Sequence, residues 1–192
     1  WVTWGDYDLD GFLDLAIGGT PNRIYRNEAG HLSPVPAWSS VESDHTTSVA
    51  WGDVDGDGDL DLAVGNAGHN GQPNRLYRNS GDGAFTDATA EMGENLGDAG
   101  FCMGSVFFDY DNDGWMDLYL AKGGRYEIEA NRLLRNVNGR FVDVTDLAGV
   151  GSKEFTYAAA AADYDNDGHL DLYLANYGVG AKNQLYRNNG DG

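Results

Sequence analysis

Apolar residues in this chain gather in short runs of strand length, and Asp- and Gly-rich stretches separate them. Ser48 to Gly52 and Leu62 to Gly65 form one such pair, with an acidic loop between them. Two further runs follow, Asn74-Arg-Leu-Tyr-Arg-Asn79 and Phe85-Thr-Asp-Ala-Thr89. The link between them, Asn79-Ser-Gly-Asp-Gly83, has the Asn and Gly content of a hairpin turn. The pattern predicts four short strands per unit. No segment holds a convincing helical period, and the Ala158 to Ala162 cluster leads straight into an acidic loop, where the other copies carry strand. The expected fold class is therefore all-β.

The unit repeats. Asp6-Tyr-Asp8-Leu-Asp10-Gly11-Phe-Leu-Asp14 recurs as Asp53-Val-Asp55-Gly-Asp57-Gly58-Asp-Leu-Asp61, Asp109-Tyr-Asp111-Asn-Asp113-Gly114-Trp-Met-Asp117 and Asp163-Tyr-Asp165-Asn-Asp167-Gly168-His-Leu-Asp171. Each is trailed by an Asn-led run: Asn22 to Asn27, Asn74 to Asn79, Asn131 to Asn136 and Asn183 to Asn188. The Phe-x-Asp-x-Thr run closes the middle copies at Phe85 and Phe141, and a degraded form stands near Leu32 to Val35 in the first. Units of about 50 residues with four antiparallel strands, none able to bury both faces alone, are what a β-propeller stacks around an axis. The expected blades span roughly 1–36, 46–89, 103–145 and 155–192 of a single propeller domain or propeller fragment, the last without its final strand, so that the ring stays open.

In each acidic loop the carboxylates at positions 1, 3, 5 and 9 and the carbonyl at position 7 can converge on one hard cation, and the Gly at position 6 permits the turn. The expected ligands are Asp6, Asp8, Asp10 and Asp14; Asp53, Asp55, Asp57 and Asp61; Asp109, Asp111, Asp113 and Asp117; and Asp163, Asp165, Asp167 and Asp171. The carbonyls are those of Phe12, Asp59, Trp115 and His169, with the His169 imidazole turned to solvent. Oxygen-only ligands select Ca²⁺, about four ions in all. An EF-hand is excluded, because position 12 is Ile17, Val64, Leu120 or Leu174 where a Glu is needed, and because the flanks are strands.

Composition sharpens this picture. The formal net charge is −19, from 31 acidic and 12 basic residues, which makes nucleic acid a poor partner. Asp outnumbers Glu by 24 to 7, an imbalance that points to geometry rather than to solubility. Cys102 stands alone, so no internal disulfide can staple the fold, and bound metal is the obvious substitute. No apolar run approaches the ~20 residues of a membrane span. Weak sites of this kind fill only at the calcium concentrations found outside cells, so an extracellular or cell-surface location is expected.

On the acidic loops, the Asn-Arg-Leu-Tyr-Arg-Asn runs and the Phe-x-Asp-x-Thr runs, the chain resembles the FG-GAP or VCBS-type repeats of integrin α-subunit-like β-propellers. Within them it is most similar to the cartilage acidic protein-like group. The likeness covers essentially the whole chain, although Trp4-Gly5-Asp6 and Trp51-Gly52-Asp53 stand where a literal Phe-Gly would be. It implies ligand recognition on the face opposite the acidic loops, where the expected contacts are His69, Arg125, Tyr126 and Tyr177. The Arg residues of the Asn-led runs (Arg26, Arg78, Arg135 and Arg187) recur at one place and are expected to pair with nearby Asp or carbonyls. Trp4 and Trp51 are expected to pack between blades, leaving Trp38 and Trp115 as candidate sugar contacts. The leading expectation is a calcium-stabilised extracellular module for adhesion, protein contact or self-assembly through open strand edges. A carbohydrate-binding propeller is the alternative, and a propeller domain of a polysaccharide-active enzyme is a weaker third. No catalytic residue is expected, because the histidines share no repeat position and Cys102 has no evident partner.

Overall fold

A computed structural model describes residues 1–67, 72–93, 96–97, 100–123 and 129–190. The repeats fold as four small antiparallel sheets, each an up-and-down meander. Blade one holds β1 (Val2–Gly5), β2 (Asp14–Ile17) and β3 (Arg23–Tyr25). A two-stranded hairpin, β4 (Asn27–Glu28) with β5 (His31–Leu32), then precedes the outer strand β6 (Trp38–Ser39). The outer strand therefore comes from Trp38–Ser39 and not from the Leu32 to Val35 stretch, because register is set where Ile24 faces Trp38.

Blade two is β7 (Thr46–Gly52), β8 (Asp61–Asn66), β9 (Arg75–Asn79) and β10 (Phe85–Asp87). Blade three is β11 (Cys102–Phe108), β12 (Asp117–Lys122), β13 (Arg132–Asn136) and β14 (Phe141–Asp143), followed by a one-turn helix α1 (Thr145–Ala148). Blade four has β15 (Thr156–Ala162), β16 (Asp171–Asn176) and β17 (Gln184–Tyr186), and no fourth strand among the described residues. The Ala158 to Ala162 run is strand, in register with β16. The architecture is all-β, with no closed barrel, and matches an open series of propeller blades.

The second strand of blades two and three is buried along its whole length, as a strand covered on both faces must be. Three apolar cores sit between or within the blades, and the first strands of successive blades lie side by side. Close approach there depends on matched sizes. Gly5 leaves room for the Trp51 ring, since a Cβ on Gly5 would lie 2.6 Å from its Cδ1. Gly52 does the same for Phe107, again at 2.6 Å. At the third junction the order reverses: Phe108 occupies the glycine position and small Ala161 faces it. Trp51 thus packs between blades as expected, stacking on Tyr7 at 6.3 Å. Trp4 does not, being 52% exposed.

Candidate metal centres

Each acidic loop joins the first and second strands of its blade, so all four recur at the same place in their sheets. The chain turns there through two left-handed residues. Position 6 is Gly in every copy, with φ between 88° and 94°. Position 4 is also left-handed, filled by Gly56, Asn112 and Asn166, and by Leu9 at φ 56°.

The carboxylates have distinct tasks. Position 1 holds the turn: Asp6 accepts the Asp10 and Gly11 amides at 3.0 and 2.9 Å, and Asp53, Asp109 and Asp163 bind two loop amides each in the same manner. Position 5 accepts the amide two residues on, as Asp113 does from Trp115 at 3.0 Å. Position 9 is buried and clamps two elements together. Asp61 accepts the Val54 amide at 2.9 Å and the Asn79 amide at 2.8 Å, and Asp14, Asp117 and Asp171 repeat the pair. Burial pushes the Asp61 and Asp117 carboxyls up to about 7, outweighing the amides that favour the charged form.

Position 3 is different. Asp8, Asp55, Asp111 and Asp165 each keep one buried carboxylate oxygen, Oδ1, without a hydrogen-bond partner. An unpaired buried oxygen costs roughly 1–3 kcal/mol, and here the same atom is left over four times. The clusters Asp6/Asp8/Asp10, Asp53/Asp55/Asp57, Asp109/Asp111/Asp117 and Asp163/Asp165/Asp171 each bring one oxygen per residue within 4.8 Å of one another. Such groups could hold a metal ion, and the unpartnered oxygen in each fits one.

Arginines meet the same carboxylates. Arg26 Nε lies 2.7 Å from Asp8 and its Nη2 3.2 Å from Asp10; Arg135 and Arg187 repeat this at Asp111/Asp113 and Asp165/Asp167. The expected pairing holds there. Arg78 instead lies 3.7 Å from Glu91.

The Asn that ends the second, third and fourth Asn-led runs links its blade to the preceding loop, which sequence reading missed. Asn79 Nδ2 donates to the Tyr7 carbonyl of loop one at 2.8 Å, Asn136 to Val54 of loop two at 2.8 Å, and Asn188 to Tyr110 of loop three at 2.6 Å. Its recurrence in all four runs was the available signal, but no spacing rule reveals a contact across 72 to 82 residues.

Some other expectations meet the structure differently. The His169 imidazole does not simply face solvent: its Nδ1 lies 3.0 Å from Asn112 Nδ2 of loop three. Trp38 packs on Tyr77 and Phe85, with ring centres at 4.9 and 5.4 Å, so its faces are not free for a sugar. Trp115 is half-buried, with its ring close to Gly56 of loop two. Of the expected recognition patch, His69, Arg125 and Tyr126 lie outside the described residues. Tyr177 is 70% exposed and neighbours Phe155 and Tyr157. No helix is long and apolar enough to cross a membrane among the described residues.

Serial blades of three or four antiparallel strands, each carrying an aspartate loop able to take a cation, define a blade-type β-repeat protein. The chain belongs to the FG-GAP-like repeat family, whose model matches residues 6–64, 63–120 and 121–174, and it is thereby a repeat module suited to protein interaction. No curated protein matches it significantly, so the narrower likeness to the cartilage acidic protein-like group rests on strand motifs alone.

Proposed function

We propose that this protein is a calcium-stabilised extracellular module for protein contact, with about four Ca²⁺ ions holding its blades together. The observation that carries the reading is the unpartnered, buried Oδ1 of the aspartate at position 3 in all four loops. A hard dication of this size accepts carboxylate and carbonyl oxygens in flexible geometry, and the loops present oxygens only. The repeated carboxylates serve the fold, which leaves none free for acid–base chemistry, and the reading includes no catalytic role.

Sites of the ~10⁻⁴ to 10⁻³ M class would each add roughly 1 kcal/mol at millimolar calcium. Four such increments correspond to about 8–16 °C in melting temperature for a chain of this size. Calorimetry in 5 mM calcium, in chelator and in magnesium tests this directly. A large rise with calcium that magnesium fails to reproduce is the expected result. Equal melting temperatures in calcium and chelator would sink the reading.

A further inference from the structure

In three of the four loops an arginine already holds the carboxylates that a cation would use. Arg26, Arg135 and Arg187 each lay a guanidinium against the aspartates at positions 3 and 5, between 2.7 and 3.2 Å from one Oδ2 of each. A guanidinium does not give up its charge. An ion entering beside it therefore meets a fixed positive neighbour and two oxygens that are engaged, with the buried Oδ1 of position 3 left open to it.

Loop two is the exception. Arg78 stands at the same place in its run, but its Nη1 lies 3.7 Å from Glu91, and no ion pair joins it to Asp55 or Asp57 among the described residues. The cause lies just past the outer strand. There the chain turns back, with the Glu91 and Met92 amides both donating to the Ala88 carbonyl at 2.9 and 3.1 Å, and the turn carries Glu91 to the Arg78 guanidinium. Blade three makes the same turn in α1, where the Ala148 amide donates to the Val144 carbonyl at 2.9 Å. Counted from Phe85 and Phe141, however, Leu147 occupies the place of Glu91, and Arg135 stays on its loop. Loop two is also richer in charge: position 7 is Asp59 where the other loops have Phe12, Trp115 and His169, so it carries five carboxylates against four.

We propose that the loops differ in cation affinity and fill in a set order, loop two first, and that Glu91 sets this order by holding Arg78 off the loop-two carboxylates. A dication and a guanidinium that share one pair of carboxylates repel each other. Loops one, three and four bear that repulsion, and loop two does not. Arg26, Arg135 and Arg187 are partly exposed, so water and salt screen much of the effect, and an advantage of about tenfold in dissociation constant is expected for loop two. Glu91 belongs to no acidic loop and acts through Arg78, as a positioning residue. The loop that fills first is also the one whose Val54 carbonyl receives Asn136 from blade three, so the first ion stiffens the junction of the two middle blades.

The inference rests on the reading of the loops as calcium sites. Its test follows the four position-6 glycine amides, Gly11, Gly58, Gly114 and Gly168, each bonded to the first aspartate of its own loop, by NMR, as chelator withdraws the ion from the calcium-saturated whole protein. Gly58 should change last, at free calcium about tenfold below the others. Glu91→Leu, at an exposed position, frees Arg78 and should raise the Gly58 midpoint severalfold, toward the other three. Arg135→Gln should tighten loop three, so that Gly114 changes late as well. Simultaneous change at all four glycines in the unaltered protein, or a Gly58 midpoint that Glu91→Leu leaves in place, would overturn the proposal while leaving calcium binding intact. Weaker binding at loop three in Arg135→Gln would overturn it too, since the guanidinium would then be organising the ligands. Glycine amides that respond neither to calcium nor to chelator would remove the calcium reading itself, and the order of filling with it.

Discussion

Asn136→Ala should be far more damaging than the same change in the first repeat. The Asn136 amide donates to the Val54 carbonyl at 2.8 Å and to the Met116 carbonyl at 3.1 Å, and its own oxygen accepts the Gly139 amide at 2.9 Å. The side chain is fully buried. Truncation strips partners from carbonyls in two different loops, and each buried group left unsatisfied costs about 1–3 kcal/mol. Water entry into the vacated space offsets part of this, so a loss of about 3 kcal/mol is expected. Asn27 is the internal control. Its amide reaches only the Leu13 carbonyl of its own loop, at 2.9 Å and near solvent, so Asn27→Ala should cost about 1 kcal/mol or less. With a shift of about 2–4 °C per kcal/mol for a chain of this length, the two variants should separate by several degrees in calcium. Differential scanning calorimetry on both proteins at matched calcium makes the comparison. Equal shifts would show that the bond between loops adds nothing, and the description of the loops as linked would fail.

Leu9 sits at φ 56° with its side chain exposed, where its sister positions hold Gly or Asn. Leu9→Asn should therefore gain about 1 kcal/mol by relieving left-handed strain, read as a higher midpoint in denaturant at unchanged slope. Gly52→Ala would put a Cβ 2.6 Å from the Phe107 ring and should lose about 1–3 kcal/mol by overpacking, while the same change at exposed Gly11 tests only its backbone angle. In chelator, stability should fall as pH rises. Asp61 and Asp117 bind protons more tightly folded, at about 7 against 3.8 unfolded, so their contribution is complete below about 4 and is lost as pH climbs through about 7. A melting temperature that rises over that interval in chelator would contradict the assignment.

The repeat, the strand count and the loop positions were legible because they are written in local spacing: an Asp every second residue, a Gly at the turn, an Asn-Gly reversal before the outer strand. The arginine pairing was also legible, since recurrence at one repeat position ties Arg26, Arg135 and Arg187 to whatever recurs beside them. Apart from the packing of Trp51, contacts between repeats were not. Asn79 reaching Tyr7, or His169 meeting Asn112, depends on how blades are set against each other, and no local pattern records that. Position 9 was read only as a ligand, whereas its carboxylate also clamps two amides, a task that the motif does not distinguish from ligation. Trp38 reads as free from the sequence because the degraded outer-strand motif lies earlier in the chain, among Leu32 to Val35, whereas the strand itself pairs at Trp38.

The three junctions between first strands are filled by different pairs: Gly5 with Trp51, Gly52 with Phe107, and Phe108 with Ala161. Four near-identical units in one chain face a bookkeeping problem during folding, since any blade could dock on any other and trap the chain. The unequal pairs work as addresses. Blade four placed against blade one would set Ala161 on Gly5 and leave a hole, and blade three placed there would offer Phe107 to a seat shaped for an indole. Blade two on blade three would drive Trp51 into Phe108. Each wrong neighbour is thus penalised by a void or a collision, so the order of the array is specified by side-chain volume as well as by chain connectivity.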